Sequence, residues 1–470
     1  MRCARVALWS LLLLAAARET AGAQTVPIAP VATLQARRTH AMEMVGSGIL
    51  LVRSTPTVMS ENETDLRQDP TFLYLTGLPN AVAAVLAIDI DRRETWLFVP
   101  DAGRLPGFGA VMRAPYAYVA TGAASAASLG IDHVVSWRDL EGFLDRRIAQ
   151  DSALVLRGPF TTISAPALHP AILAGSDVAG LWEQTLRARW PRVKLAEGPD
   201  EDELREVKQP GEIAALRAVA TSSASALIAG LQALRPGRRQ REAEIDVLAS
   251  CVRHGADGVS FWPWLMTGVN ADIISAAQSL GDAGFRDRVM KAGELARVDV
   301  GCRQAHYAGD VGRTAPVSGR FTADQREAWE LFVGAYRVAV RAMQPGIPAS
   351  DIFVVWRGEI QRRRRGLRTR LARRTAEVAL SSDGGRFWEI HGVGLASAEG
   401  NVDTLRVGQV LAFEPILTVD GVGLYLEDMI LITADGAELL TRGLPYTADE
   451  IEAVMRARPA VRRQERRVKR

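Results

Sequence analysis

At 470 residues the chain is longer than one ordinary hydrophobic core needs and suits two domains. A hydrophobic content of 48% with 24% charged residues is that of a globular protein and excludes a disordered chain. Lys and Arg number 57 against 54 Asp and Glu, and a net charge of +3 gives no reason to expect a nucleic acid as partner.

The chain opens on "MRCARVALWSLLLLAAARETAGAQ", with arginines at 2 and 5, an apolar run from Val6 to Ala17, and Ala21-Gly22-Ala23 ahead of Gln24. That order is a secretory signal peptide spanning residues 1–23, which predicts a secreted or periplasmic protein cut near Ala23. No later stretch reads as a transmembrane helix, so no membrane contact is expected after cleavage. Cys251 and Cys302 would be the two cysteines left, and two in a large exported chain read as free thiols rather than a disulfide framework.

Residues 36–196 alternate short apolar runs such as "AVAAVLAI" and "TWLFVP" with helix-like pieces such as "WRDLEGFLDRRIA", the pattern of a mixed sheet with helices packed on it. The charged, proline-broken "EGPDEDELREVKQPGE" marks a junction, and a second domain is expected over 200–456, followed by a basic tail at 457–470. Ile213, Leu216, Val219, Ala220, Leu227, Ile228, Leu231 and Leu234 recur at helical spacing until Pro236-Gly237. A second helix starts at the capping box Thr322-x-x-Gln325 and carries Trp329, Phe332, Val333, Tyr336 and Val340 on one face. The basic runs Gln361–Arg374 and Arg462–Arg470 read as a solvated helix face and a frayed terminus.

Between the two helices, "DVGCRQAHYAGDVGRT" reads as strand, turn, strand. In "LARVDV" the period of two puts Leu295, Arg297 and Asp299 on one face, away from Val298 and Val300. Two further apolar strands each carry an acid, Glu414 in "GQVLAFEPIL" and Glu427 in "GLYLEDMILIT". A buried carboxylate without a partner is costly, so apolar ladders that each hold one need a cation. Asp299, Asp310, Glu414 and Glu427 suit a hard or borderline divalent metal, and with one imidazole they could hold two ions. His391 in "WEIHGVGL" supplies that imidazole; His306, in the turn between the aspartates, is expected to face solvent.

The order Asp299-x-Gly301, Asp310, His391, Glu414-Pro415, Glu427-Asp428 resembles the pita-bread metallopeptidases, and "DVGCRQAHYAGDVGRTAPVSGRFTADQRE" is especially similar to aminopeptidase P. "RRTHAMEMVGSGILLVRSTPTVM" and "RQDPTFLYLTGLPN" resemble the N-terminal domain of that subfamily, so the likeness covers nearly all of the mature chain. It implies an α/β (α+β) fold, a creatinase/aminopeptidase P-like mixed-sheet domain followed by a pita-bread catalytic domain. It further implies two divalent metal ions, manganese first with cobalt or zinc as alternatives, and a homodimer as assembly. Asp299 and Asp310 would bind the first ion, Asp310 and Glu427 would bridge, and His391 with Glu414 would complete the second. Glu414 would be the catalytic proton acceptor, and the substrate a peptide cut between its first residue and a proline.

Family members place further histidines where this chain has Ser275, Phe387 and Ala398, and an arginine where it has Tyr425. Arg297 shares a strand face with Asp299, and Tyr425 shares one with Glu427. With those strands as neighbours, Arg297 would replace the missing arginine and pair with a metal-bound carboxylate. The first reading is therefore an exported dinuclear-metal exopeptidase with an altered pocket. A metal-holding, catalytically silent binding protein is the alternative, and a creatinase-like hydrolase, which needs the absent histidines, comes third.

Overall fold

The computed structural model describes residues 27–55, 67–100, 119–158, 178–271, 287–381 and 386–457. The leader, Ser275 and the basic tail lie outside them. The chain divides into two units, Met1–Leu204 and Arg205–Arg470.

In the first unit the strands are β1 (Ile49–Arg53), β2 (Val85–Asp89), β3 (Glu94–Val99), β4 (His133–Ser136), β5 (Val155–Gly158) and β6 (Lys194–Glu197). They form one sheet in the order β4-β3-β2-β1-β5-β6. The central pairs β1–β2 and β2–β3 are antiparallel, while β4, β5 and β6 join in parallel, so the sheet is mixed as the sequence pattern implies. The unit's helices include α1 (Val31–Val45), α2 (Pro70–Thr76), α3 (Asp139–Gln150) and α4 (Val178–Arg189), with a short further helix at Ala123–Leu129. Ile49, Leu51, Phe98 and Leu156 on the sheet bury against Phe143 and Leu144 of α3 and Leu186 of α4. Helix α2 starts where it does because Pro70 presets the first turn and the Asp69 carboxylate accepts from the Phe72 N–H at 2.7 Å.

The second unit begins with α5 (Pro210–Ala233) and α6 (Gln240–Arg253). Helix α5 is long and apolar enough to cross a membrane by length and composition, which corrects the expectation that no stretch after the leader would be. Its apolar stripe is nevertheless covered by protein: Leu216, Val219, Ala220, Leu227 and Leu231 are all fully buried in the core of this unit.

The strands of this unit are β7 (Gly258–Val259), β8 (Trp264–Thr267), β9 (Leu295–Val300), β10 (Cys302–Gln304), β11 (Tyr307–Ala308), β12 (Val311–Pro316), β13 (Arg386–Gly392), β14 (Glu399–Asn401), β15 (Val410–Val419), β16 (Val422–Thr433) and β17 (Gly436–Leu439). The main sheet runs β14-β13-β15-β16-β12-β9-β8, with β17 also paired to β16, and its pairings are antiparallel. A small sheet, β11-β10-β7, stands beside it.

The helices α7 (Ala323–Ala342), α8 (Ala349–Arg363), α9 (Arg370–Leu380) and α10 (Ala448–Arg456) complete the unit. The capping box that opens α7 is formed: Gln325 N–H donates to Thr322 Oγ1 at 3.2 Å, and Thr322 N–H donates to Gln325 Oε1 at 3.0 Å. Trp329, Phe332, Val333, Tyr336 and Val340 are buried, the stripe read from the sequence. The basic run at 361–374 falls on the end of α8 and the start of α9, where Arg362 and Arg363 both grip Glu359.

Cys251 and Cys302 are not free thiols. They form a disulfide, with Cα atoms 5.5 Å apart and a separation of 51 in sequence. Both are fully buried. Their pairing depends on β10 lying against α6, a proximity that no local spacing encodes.

Candidate metal centre

The site is built on the middle of the main sheet, where register decides which side chains meet. Gly312 on β12 is the cross-strand partner of both Asp299 on β9 and Glu427 on β16. The pairs Phe413 with Asp428 and Ile416 with Tyr425 bracket Glu414 of β15 and Glu427, which places those two opposite each other. Three acids thus line one row across four strands, with a residue lacking a side chain among them. Asp310 stands two residues before Gly312, on the same face. His391 enters from β13 beside a register shift between His391 and Gly392, the kind of irregularity that re-aims a side chain.

Ligand atoms of Asp310, His391 and Glu427 lie within 4.8 Å of one another, and all three residues are buried. His391 Nε2 is 3.5 Å from Glu414 Oε1 and 3.9 Å from Glu427 Oε1. Its other nitrogen, Nδ1, donates to the Gly392 carbonyl at 2.9 Å. A carbonyl can only accept, so the proton sits on Nδ1 and Nε2 is left to face the acids. The structure therefore brings together all five residues singled out in the sequence: Asp299, Asp310, His391, Glu414 and Glu427.

Two buried carboxylate oxygens in this cluster, Asp299 Oδ1 and Glu427 Oε1, have no hydrogen-bond partner. Orphaned acceptors packed among other acids are what a divalent cation would satisfy, and four carboxylates with one imidazole are a suitable donor set for a hard or borderline ion. The residues fit the group.

With no cation bound, burial raises the Asp299 carboxyl to about 7, against the pull of Arg297 and with the Glu414 charge adding to the rise. Burial first and then the Asp299 charge push Asp310 well above the ordinary carboxylate range; burial and the Asp310 charge do the same to Glu427. Burial works against a charged His391, but its hydrogen bond to Glu414 and the Asp310 charge prevail and raise it to about 9.

These shifts give a sign. Each group binds its proton more tightly folded than unfolded, so its contribution to stability is complete at low pH. It is lost as pH rises through about 7 for Asp299 and about 9 for His391. The metal-free protein should melt lower at about pH 8 than at about pH 5, and added divalent metal should protect more at the higher pH, because binding displaces those protons. Thermal melts with chelator and with Mn²⁺ at both pH values check this. Equal protection at the two would contradict it.

Two predicted features are corrected. Arg297 does not reach Glu427, because β12 lies between β9 and β16, and its Nε and Nη2 make no hydrogen bond; what it gives the site is charge, which pulls the Asp299 carboxyl down against burial. It does not turn to solvent either, being 1% exposed, and its Cζ lies 5.1 Å from the Trp264 ring centroid and 5.3 Å from that of Tyr425. His306 does not point freely outward but is half-buried at the tip of the β10–β11 hairpin, outside the cluster. Of the auxiliary positions, Ser275 and the side chain of Phe387 lie outside the described residues, and Ala398 is exposed just before β14.

The residues that sequence reasoning undervalued are the ones around the acids. Tyr425 Oη donates to Glu427 Oε2 at 2.5 Å. Arg313, fully buried, donates from Nη1 to the backbone carbonyls of Gly312 at 2.7 Å and Glu427 at 2.6 Å, and from Nη2 to Asp428 Oδ1 at 2.9 Å. Asp428 also accepts from the hydroxyls of Thr441 and Tyr446. This network ties β12 to β16 at the level of the acids. The Arg-Thr pair after Asp310 and the Asp after Glu427 were its sequence signal. Gly301 has a plain steric role, since a Cβ there would stand 1.9 Å from the Gly309 carbonyl oxygen, within the turn that carries the chain from Asp299 to Asp310.

A buried carboxylate and imidazole cluster on an antiparallel sheet, in a chain with a separate mixed-sheet unit before it, defines a metal-dependent hydrolase of two-domain build. Residues 214–434 match metallopeptidase family M24, and residues 34–156 match the aminopeptidase P N-terminal domain. The chain belongs to metallopeptidase family M24, near aminopeptidase P. It is 26% identical over 455 residues to the Xaa-Pro aminopeptidase of Escherichia coli strain K12, covering 90% of this chain and 97% of that one. The Xaa-Pro aminopeptidase of Haemophilus influenzae is 26% identical over 474 residues, covering 91% and 97%. Among solved structures, proline aminopeptidase P II from Yersinia pestis matches with a TM-score of 0.67 at 25% identity, covering 91% of this chain and all of that one. Aminopeptidase PepP of Pseudomonas aeruginosa has a TM-score of 0.68 at 24% identity, with 91% and 98% covered.

Proposed function

We propose that this protein is an exported aminopeptidase that holds two divalent metal ions and removes the first residue from peptides with proline second. The observation that carries the reading is the cluster of Asp299, Asp310, His391, Glu414 and Glu427, with its buried and unpartnered carboxylate oxygens. Asp299 and Asp310 would hold one ion, His391 and Glu414 the other, and Asp310 and Glu427 would span both; manganese suits such an oxygen-rich set. Two bound ions would supply an acidified water and polarise the scissile carbonyl. Glu414 is the acid placed to take the proton, since its side chain is 13% exposed while that of Glu427 is 1% exposed. The Nδ1 hydrogen bond of His391 keeps its Nε2 turned inward throughout. The proline preference rests on the curated relatives, which are Xaa-Pro aminopeptidases over nearly their whole length.

The absent auxiliary histidines make this an atypical site. Ala398 can neither donate to a substrate carbonyl nor pass a proton, a contribution of roughly 100- to 10,000-fold where such a group exists. Turnover is therefore expected to be slow. Metal analysis of the purified protein with a screen of Xaa-Pro and other dipeptides and tripeptides tests the proposal. Two ions with Xaa-Pro cleavage support it; two ions without cleavage of any peptide would replace it with a metal-holding binding protein.

Export rests on the leader and gains support from the Cys251–Cys302 disulfide, a bond that persists in oxidising compartments. The mature protein should begin at Gln24 or within a few residues of it, as intact mass would show. A soluble cytoplasmic pool retaining Met1 would contradict export.

A further inference from the structure

We infer that Tyr425, clamped by Arg297 and Trp264, is a positioning residue that decides which carboxylate oxygens are free for metal. The inference rests on the proposed metal centre and extends it to residues that touch no metal.

The geometry begins with a second row on the same sheet face. Arg297 is the cross-strand partner of Thr314, whose hydroxyl accepts the Tyr425 N–H at 2.8 Å, so Arg297, Thr314 and Tyr425 run beside the row of Asp299, Gly312 and Glu427. The tyrosine ring leans from its own row into the next. A Cβ on Gly312 would stand 1.9 Å from Tyr425 Cε1, so the ring occupies the space that any other residue would fill. From there the hydroxyl donates to Glu427 Oε2 and also interacts with Asp299. A phenol has one proton to give. With Oε2 taken, Glu427 Oε1 is left unpartnered, as is Asp299 Oδ1.

What keeps the ring there is a stack. The Arg297 guanidinium lies between the Trp264 and Tyr425 rings, with Cζ 5.1 Å and 5.3 Å from their centroids. Its Nε and Nη2 are buried without a hydrogen-bond partner. Burying a guanidinium with idle donors costs stability, so a stability role explains it poorly. A flat cation between two ring faces instead fixes both rings, which a flexible apolar chain would not do. Trp264 is itself the cross-strand partner of Asp299, so the clamp is anchored in the strand next to that acid.

The test uses the full-length protein, stripped of metal and titrated with Mn²⁺ by calorimetry, with thermal melts as a separate record of folding. Tyr425→Phe is expected to weaken Mn²⁺ binding roughly 10- to 100-fold, the cost of losing an outer partner of a metal ligand. Arg297→Lys keeps the positive charge near Asp299 but loses the flat group over the ring, so it should weaken binding in the same direction, and the double variant Arg297→Lys with Tyr425→Phe should bind no more weakly than the weaker single variant. Unchanged affinity in Tyr425→Phe, or losses that multiply in the double variant, would overturn the inference even where the melting temperature falls. Should Tyr425→Phe not fold, Arg297→Lys, which leaves the hydroxyl in place, must still bind Mn²⁺ more weakly than the native protein. A native protein that binds no Mn²⁺ would instead bring down the metal centre on which the inference stands.

Discussion

Asp310→Ala is expected to leave the protein unable to hold two metal ions and to reduce peptide cleavage by roughly a thousandfold or more, the equivalent of several kcal/mol of charge stabilisation. The ligand atoms of Asp310, His391 and Glu427 lie within 4.8 Å of one another, and burial, with neighbouring acids adding to it, pushes the Asp310 carboxyl well above its ordinary range when no cation is present. A carboxylate that spans two ions serves both, so its loss opens both. The substitution also removes a buried acid, so the metal-free variant should melt at least as high as the native apo-protein at neutral pH. Metal content and dipeptide turnover on the same preparation check the pair of effects. Two tightly held ions in Asp310→Ala would end the bridging assignment.

The second large effect concerns the disulfide. Removing it with Cys251→Ala and Cys302→Ala together is expected to destabilise the C-terminal unit by about 4 kcal/mol, from the loop-closure entropy of a cross-link spanning 51 residues. The bond joins α6 to β10, the strand that begins two residues after Val300 of β9 and so lies close to Asp299 in the chain. Local loosening there should also weaken metal binding. Urea unfolding of the two proteins measures the loss as a shift in midpoint at constant slope. A difference below about 1 kcal/mol would show that the bond contributes little beyond the packing of two buried side chains.

Much of the site was legible because a strand has a period of two. Asp299, Glu414 and Glu427 interrupt apolar ladders, and burial without a partner is costly enough that a cation was the economical explanation. The helix start at Thr322 was legible for a similar reason: capping satisfies backbone donors within a few residues, so its signal is local. The face of Arg297 relative to Asp299 was also correct, being a property of one strand.

What the sequence could not supply was which strands lie side by side. Period fixes a residue's face, but neighbours across a sheet follow from strand order, and β12 between β9 and β16 keeps Arg297 from Glu427 and leaves it over the Tyr425 ring. The same holds for Cys251 and Cys302, whose spacing carries no trace of their meeting, and for α5, whose length and composition fit a membrane but whose apolar stripe is buried by its neighbours. By itself the sequence determined which groups carry charge, where a capped helix begins and on which face of its own strand each acid lies, because those depend on interactions within a few residues. Tertiary structure alone decided that Gly312 leaves room for the Tyr425 ring, that its hydroxyl takes one oxygen of Glu427, and that the other is left for a cation, because each depends on approach between strands distant in the chain.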